Sequence, residues 1–158
     1  MTREQKQEYT RRISMANSTQ MITIIYDIAL SYLDEASDAL DRDDKEALSL
    51  ALKRVQKCID ELMRSLNRKV EVADNFLQLY IFAKRELIKV DIRGKRESLD
   101  SIRGIFLKMR DCYRELEQRT DEPPLVSGAQ EVYAGLTYGP GSLNESVQDP
   151  YLSRGYNA

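Results

Sequence analysis

The 158-residue chain contains no histidine and no tryptophan. The missing histidine removes the usual general base near neutral pH and the commonest transition-metal ligand. No metal-ligand spacing, glycine-rich phosphate loop or nucleophile elbow occurs either, so neither catalysis nor a metal or cofactor is expected. Cysteine is scarce: Cys58 and Cys112 each fall on or beside an apolar helical stripe and read as buried reduced thiols rather than a disulfide or a reactive site. No apolar run approaches a membrane span. The most apolar stretch, Met21 to Leu33, is interrupted by Asp27 and two tyrosines, and Met1 to Glu8 is too polar for a signal peptide. A cytoplasmic location without membrane insertion is the expectation. Net charge is only −2, and acids interleave the basic pairs such as Lys53-Arg54 and Lys84-Arg85, so nucleic-acid binding is not expected.

Proline and glycine are nearly absent from most of the chain. All four prolines and five of the seven glycines lie after Thr120. The same segment holds five acids and one base, a net −4, which leaves +2 on the first 120 residues. The shift marks a boundary just before Pro123-Pro124, which cannot continue a helix. Residues 1–120 read as a helical domain and 121–158 as an irregular tail. The tail carries four of the nine tyrosines: Tyr133, Tyr138, Tyr151 and Tyr156. It is either a solvated extension or a strap whose segment Val132 to Tyr138 folds back on the apolar surface of the body.

What remains is a body built from four helical patterns. The first runs from about Thr19 to Leu40, with Met21, Ile25, Ile28, Tyr32, Ala36 and Leu40 on one face and Asn17 or Ser18 as cap. The second, about Asp44 to Leu66, carries Leu48, Leu52, Val55, Ile59, Leu62 and Leu66, with Asp43 and Glu46 as a capping-box pair. The third extends from about Glu71 into the low 90s and ends at Gly94. The fourth, about Lys95 to Gln118, carries Leu99, Ile102, Phe106, Met109, Tyr113 and Leu116. Short connections between helices of this length predict an all-α, antiparallel up-and-down four-helix bundle, with a short amino-terminal cap segment ahead of it.

The third helix is apolar on two sides. Val72, Phe76, Leu79, Tyr80, Ala83, Leu87 and Val90 share one face, while Leu77, Ile81 and Ile88 form a second stripe about a third of a turn away. One face suffices to join a core. The second must be covered by another helix of the chain or by a partner. Leu30, Leu50 and Leu107 are also off their helices' main stripes, and such a surplus suggests a binding module. Tyr26 and Asp27 admit two readings, direct contact with a partner or a structural pair in which Asp27 meets an arginine such as Arg54 or Arg85.

Several segments resemble the flagellar export chaperone family FliS, the flagellin chaperones. Ile25-Tyr26-Asp27-Ile28-Ala29-Leu30 resembles its "LYDGAL" segment, with Ile28 where glycine is usual. Arg54-Val55-Gln56-Lys57-Cys58-Ile59-Asp60-Glu61-Leu62 is similar to "RAQxIIxEL", and Glu71-Val72-Ala73-Asp74-Asn75-Phe76-Leu77-Gln78-Leu79-Tyr80 to "EIAxNLxxLY". Leu107 to Tyr113 is similar to the closing "LRxxW", with tyrosine for tryptophan. Ser14 to Ser18 stands where the family has "TASP", without the proline. The resemblance runs from about Tyr9 to Leu116. It implies a non-enzymatic cytoplasmic chaperone that binds the carboxy-terminal helical segment of flagellin, prevents premature polymerisation and aids delivery to the flagellar type III secretion apparatus. A component of the export gate is a further implied partner. Tyr9 and Ile13 would then lie in a mobile cap near the client groove. The candidate client surface comprises Tyr9, Ile13, Tyr26, Leu50, Leu77, Ile81, Ile88 and Leu107. The rival reading is a non-enzymatic helical bundle that uses its extra apolar faces to self-associate as a structural or regulatory adaptor.

Overall fold

A computed structural model of the chain describes residues 1–119; the predicted tail, including Val132 to Tyr138, lies outside the described residues. The described part is all-α, with helices α1 (Arg3–Ser14), α2 (Ser18–Asp41), α3 (Lys45–Ser65), α4 (Ala73–Arg93) and α5 (Arg96–Glu117) and no strand among the described residues. The four expected helices are α2 to α5.

Local chemistry sets most of the boundaries. Asn17 caps α2 through a capping box: its side chain accepts from the Gln20 amide at 2.8 Å, and the Gln20 side chain accepts from the Asn17 amide at 3.0 Å. Gly94 ends α4 in the left-handed region at φ 60°, a conformation that costs glycine little. Two expectations need correction. Asp43 does not cap α3; it takes φ 53° in the turn, and Asp44 caps instead, accepting from the Ala47 amide at 3.0 Å. The amino-terminal segment is a 12-residue helix with its own Thr2–Gln5 capping box. A helix with only one fully buried residue, Ile13, leaves almost no apolar stripe to read.

The packing centres on α2. It contacts α3 and α5 most extensively and α1 on a further side, while α4 packs against α3 and α5. Accordingly, every residue from Thr23 to Leu30 is buried, Leu30 among them, so its off-stripe position is covered within the chain. α1 runs back along α2: the amino terminus meets Glu35, the Tyr9 hydroxyl meets Ser31 at 2.9 Å, and Arg12 reaches Asp27 at 2.7 Å. A ladder at two-turn spacing fixes α5 antiparallel to α2. Arg96 donates to Asp41, Arg103 to Asp34 at 2.9 Å, and Arg110 lies 3.5 Å from Asp27. The outer rungs are exposed and set register more than stability. Asp27 thus pairs with Arg12, Arg110 and Arg114, not with Arg54 or Arg85. Arg54 instead lies 3.8 Å from Glu35.

Candidate partner-binding groove

The interior stripes of α2 to α5 do not close at one end of the structure. There the start of α2, the end of α3, the connection to α4, the first turns of α4 and the last turns of α5 surround an open groove of about 420 Å³. Its walls include Ile22, Leu66, Val72, Phe76, Tyr113 and Leu116. These are mostly main-stripe positions, which pattern assigns to the core. Here they run past the last residue able to cover them: Phe76 and Tyr113 are half-buried, and Val72 is 48% exposed. No side chain caps the start of α4, whose N-cap position is Val72 itself, so apolar residues remain where a polar cap usually stands.

Aromatic rings connect this opening to the interior. Phe76 and Tyr113 lie 6.4 Å apart, Tyr113 and Tyr26 5.8 Å, and Tyr26 meets Phe106 edge-on at 5.5 Å. Behind the groove wall the Tyr26 and Tyr80 hydroxyls share a hydrogen bond of 2.5 Å. Burial pushes both phenols well above their usual pKa, so they stay protonated and serve as a buried polar latch between α2 and α4. Next in sequence, Asp27 gathers arginines from α1 and α5. Every buried side-chain polar atom among the described residues has a hydrogen-bond partner, and none is left aimed at a small ligand.

The predicted site residues distribute unevenly. Tyr26 and Ile13 are buried and present no surface in this arrangement. Tyr9 is half-buried, its hydroxyl held by Ser31 and by the Asp27 carbonyl. Leu107 is half-buried on α5, as are Leu77 and Ile81 on α4, whereas Leu50 and Ile88 are exposed at 51% and 54%. Leu77, Ile81 and Ile88 do form one flank of α4, prolonged by Ile92 at 76% exposure. Lys84 on that flank pairs with Asp60 of α3 at 2.5 Å. None of the eight lines the groove, although Tyr26 bonds to its wall residue Tyr80. The open groove is lined by on-stripe residues rather than by the off-stripe ones. The readable signal was Val70 and Val72 in a connection with no cap. Cys58 is buried and its thiol is pushed far up by desolvation, as expected of an inert cysteine. Cys112 is not buried: it is exposed and lies on the groove wall, on a turn of α5 whose neighbours Tyr113 and Arg114 take the contacts with α2.

The family model described as "Flagellar protein FliS" matches residues 1–120. The chain belongs to the FliS family. Among curated relatives, the flagellar secretion chaperone FliS of Bacillus subtilis (strain 168) is 24% identical over 106 residues, covering 67% of this chain and 80% of that protein. Its counterpart in Escherichia coli (strain K12) is 23% identical over 106 residues, 65% of this chain and 78% of that protein. The Salmonella typhimurium FliS is 24% identical over 110 residues, 68% and 82% respectively. The FliS match ends at the edge of the described helices, and the segment after it is not covered by the family model.

Proposed function

We propose that this FliS-family chain is a cytoplasmic, non-enzymatic export chaperone that binds the carboxy-terminal amphipathic segment of flagellin. In this reading it keeps the subunit from polymerising and helps deliver it to the flagellar type III secretion apparatus, with an export-gate component as a second partner. Helices α2 to α5 act as an antiparallel up-and-down four-helix bundle and α1 as its amino-terminal cap. The observation that carries the reading is the open apolar groove, in a chain whose named relatives are flagellar secretion chaperones. An amphipathic helix laid into such a groove buries anchors at three- and four-residue steps. Leu77 and Ile81 follow the wall residue Phe76 along α4 and extend the apolar surface toward Ile88. Leu50 and Leu107 are further contacts, Tyr9 and Ile13 become accessible if α1 lifts, and Tyr26 supports the groove wall from behind through Tyr80 and Tyr113. Burial of three or four aliphatic side chains is worth about 5–10 kcal/mol gross, of which ordering the client takes back several.

Calorimetric titration with a peptide carrying flagellin's carboxy-terminal segment tests this. Saturable one-to-one binding with a negative heat-capacity change is expected. Val72→Asp and Ile81→Asp should each weaken it at least ~10-fold, the cost of placing a charge at an apolar anchor. Absence of binding by the folded, monomeric chain would reject the reading. Mass that rises with concentration would favour the self-associating adaptor.

A further inference from the structure

The groove is open in the described residues, and the chain continues for residues 120–158 from the very helix that forms one of its walls. α5 ends at Glu117, one residue after the wall residue Leu116. Beyond it comes Val132-Tyr133-Ala134-Gly135-Leu136-Thr137-Tyr138, an apolar, aromatic run within a stretch free of charge from Val132 to Asn144. The intervening residues 119–131 span up to about 40 Å when extended, so reach is no obstacle. Charge also matches. The segment after Thr120 is net −4, with Glu131 directly before the apolar run, and exposed Arg68 and Lys69 sit in the α3–α4 connection between wall residues Asn67 and Val70. We infer that residues Val132 to Tyr138 occupy this groove in the free protein and compete there with an incoming amphipathic helix. The occupancy stands on the geometry; the competition rests on the proposed chaperone function.

Tethering makes a weak segment sufficient. A linker of this length holds the run at ~1 mM near the groove; a segment with a dissociation constant of ~0.1 mM then weakens a competitor about tenfold. Such a segment would also limit self-association through the exposed wall.

Cys112 provides the readout, because it lies on the groove wall while Cys58 is buried and silent. The rate of N-ethylmaleimide labelling should be measured for the full chain and for its Tyr133→Ser/Leu136→Ser variant. Labelling about tenfold faster in the variant is the expected result. Equal rates overturn the inference. Protection that instead grows with protein concentration assigns the groove to a second copy of the chain and overturns it as well. In a second arm, the flagellin carboxy-terminal peptide should bind the variant about tenfold more tightly. Unchanged affinity alongside faster labelling overturns the competition. Failure of the peptide to bind either form counts against the chaperone reading alone, since the labelling rates need no client.

Discussion

Helices α2 and α4 are both apolar on more than one side, yet α2 buries 13 of its 24 residues and α4 only six of 21. The difference is not hydrophobicity of the sequence alone but the number of neighbours. α2 is covered extensively by α3 and α5 and further by α1, whereas α4 packs mainly on α3 and α5 and meets α2 through the Tyr26–Tyr80 pair. An apolar face therefore means core in one helix and available surface in the other. The contrast also separates stability from function: substitutions on α2 should cost folding energy, and those on the outer flank of α4 should not.

The largest effect that would sharpen this contrast is a paired truncation. Ile28→Ala, at a fully buried site, should lower unfolding free energy by about 3 kcal/mol, while Ile88→Ala should change it by less than about 0.5 kcal/mol. Urea midpoints at constant slope measure both, and a large loss for Ile88→Ala would break the distinction. Next comes Asp27, whose carboxylate joins α2 to α1 and α5. Asp27→Ala should cost about 2–3 kcal/mol, less than a fully buried ion pair because Arg12 and Arg114 keep contact with water. Hydrogen exchange should then show α1 opening ahead of the rest of the structure.

A smaller effect is expected at the one polar latch between the two contrasted helices. Tyr80→Phe strands the Tyr26 hydroxyl and should cost about 1–2 kcal/mol, yet adding Tyr26→Phe should recover part of the loss, since no donor is then left unsatisfied. Additive losses in the double-mutant cycle would show that the hydrogen bond is not what matters there. The same pair sets a pH dependence that vanishes at neutrality. Both phenols ionise less readily when folded than when unfolded. Their contribution is therefore fully present below about pH 10 and is lost as pH rises above it, where the unfolded chain releases protons first. Denaturation at pH 8 and pH 11 should show this loss, shallower in the double phenylalanine variant.

The helices were legible because burial on one face imposes a periodic pattern, and caps such as Asn17 and Gly94 act through residues adjacent in sequence. The surface was only half legible. Ile88 and Leu50 stand exposed as their off-stripe positions suggest, but Leu30, equally off-stripe, is buried in the core. The groove was missed because its walls are stripe residues, such as Phe76 and Tyr113, that pattern cannot distinguish from their buried neighbours Tyr80 and Met109. The amino-terminal cap segment was expected, but its helicity was not legible, for the opposite reason. It is held by single contacts, Ile13, Tyr9 and Arg12, rather than by a stripe.

By itself the sequence determined α2 to α5, caps such as Asn17 and Gly94, and the resemblance to FliS, all of which rest on neighbours within a few residues or on a string of matched segments. Only the tertiary structure decided which apolar faces are covered. Coverage depends on helices distant in sequence: α1 folding back over α2, α5 aligning its arginines with Asp27, Asp34 and Asp41, and four helices reaching one end together without a fifth to close it. A helix can state that it has a face to bury; whether anything buries it is a property of the assembly.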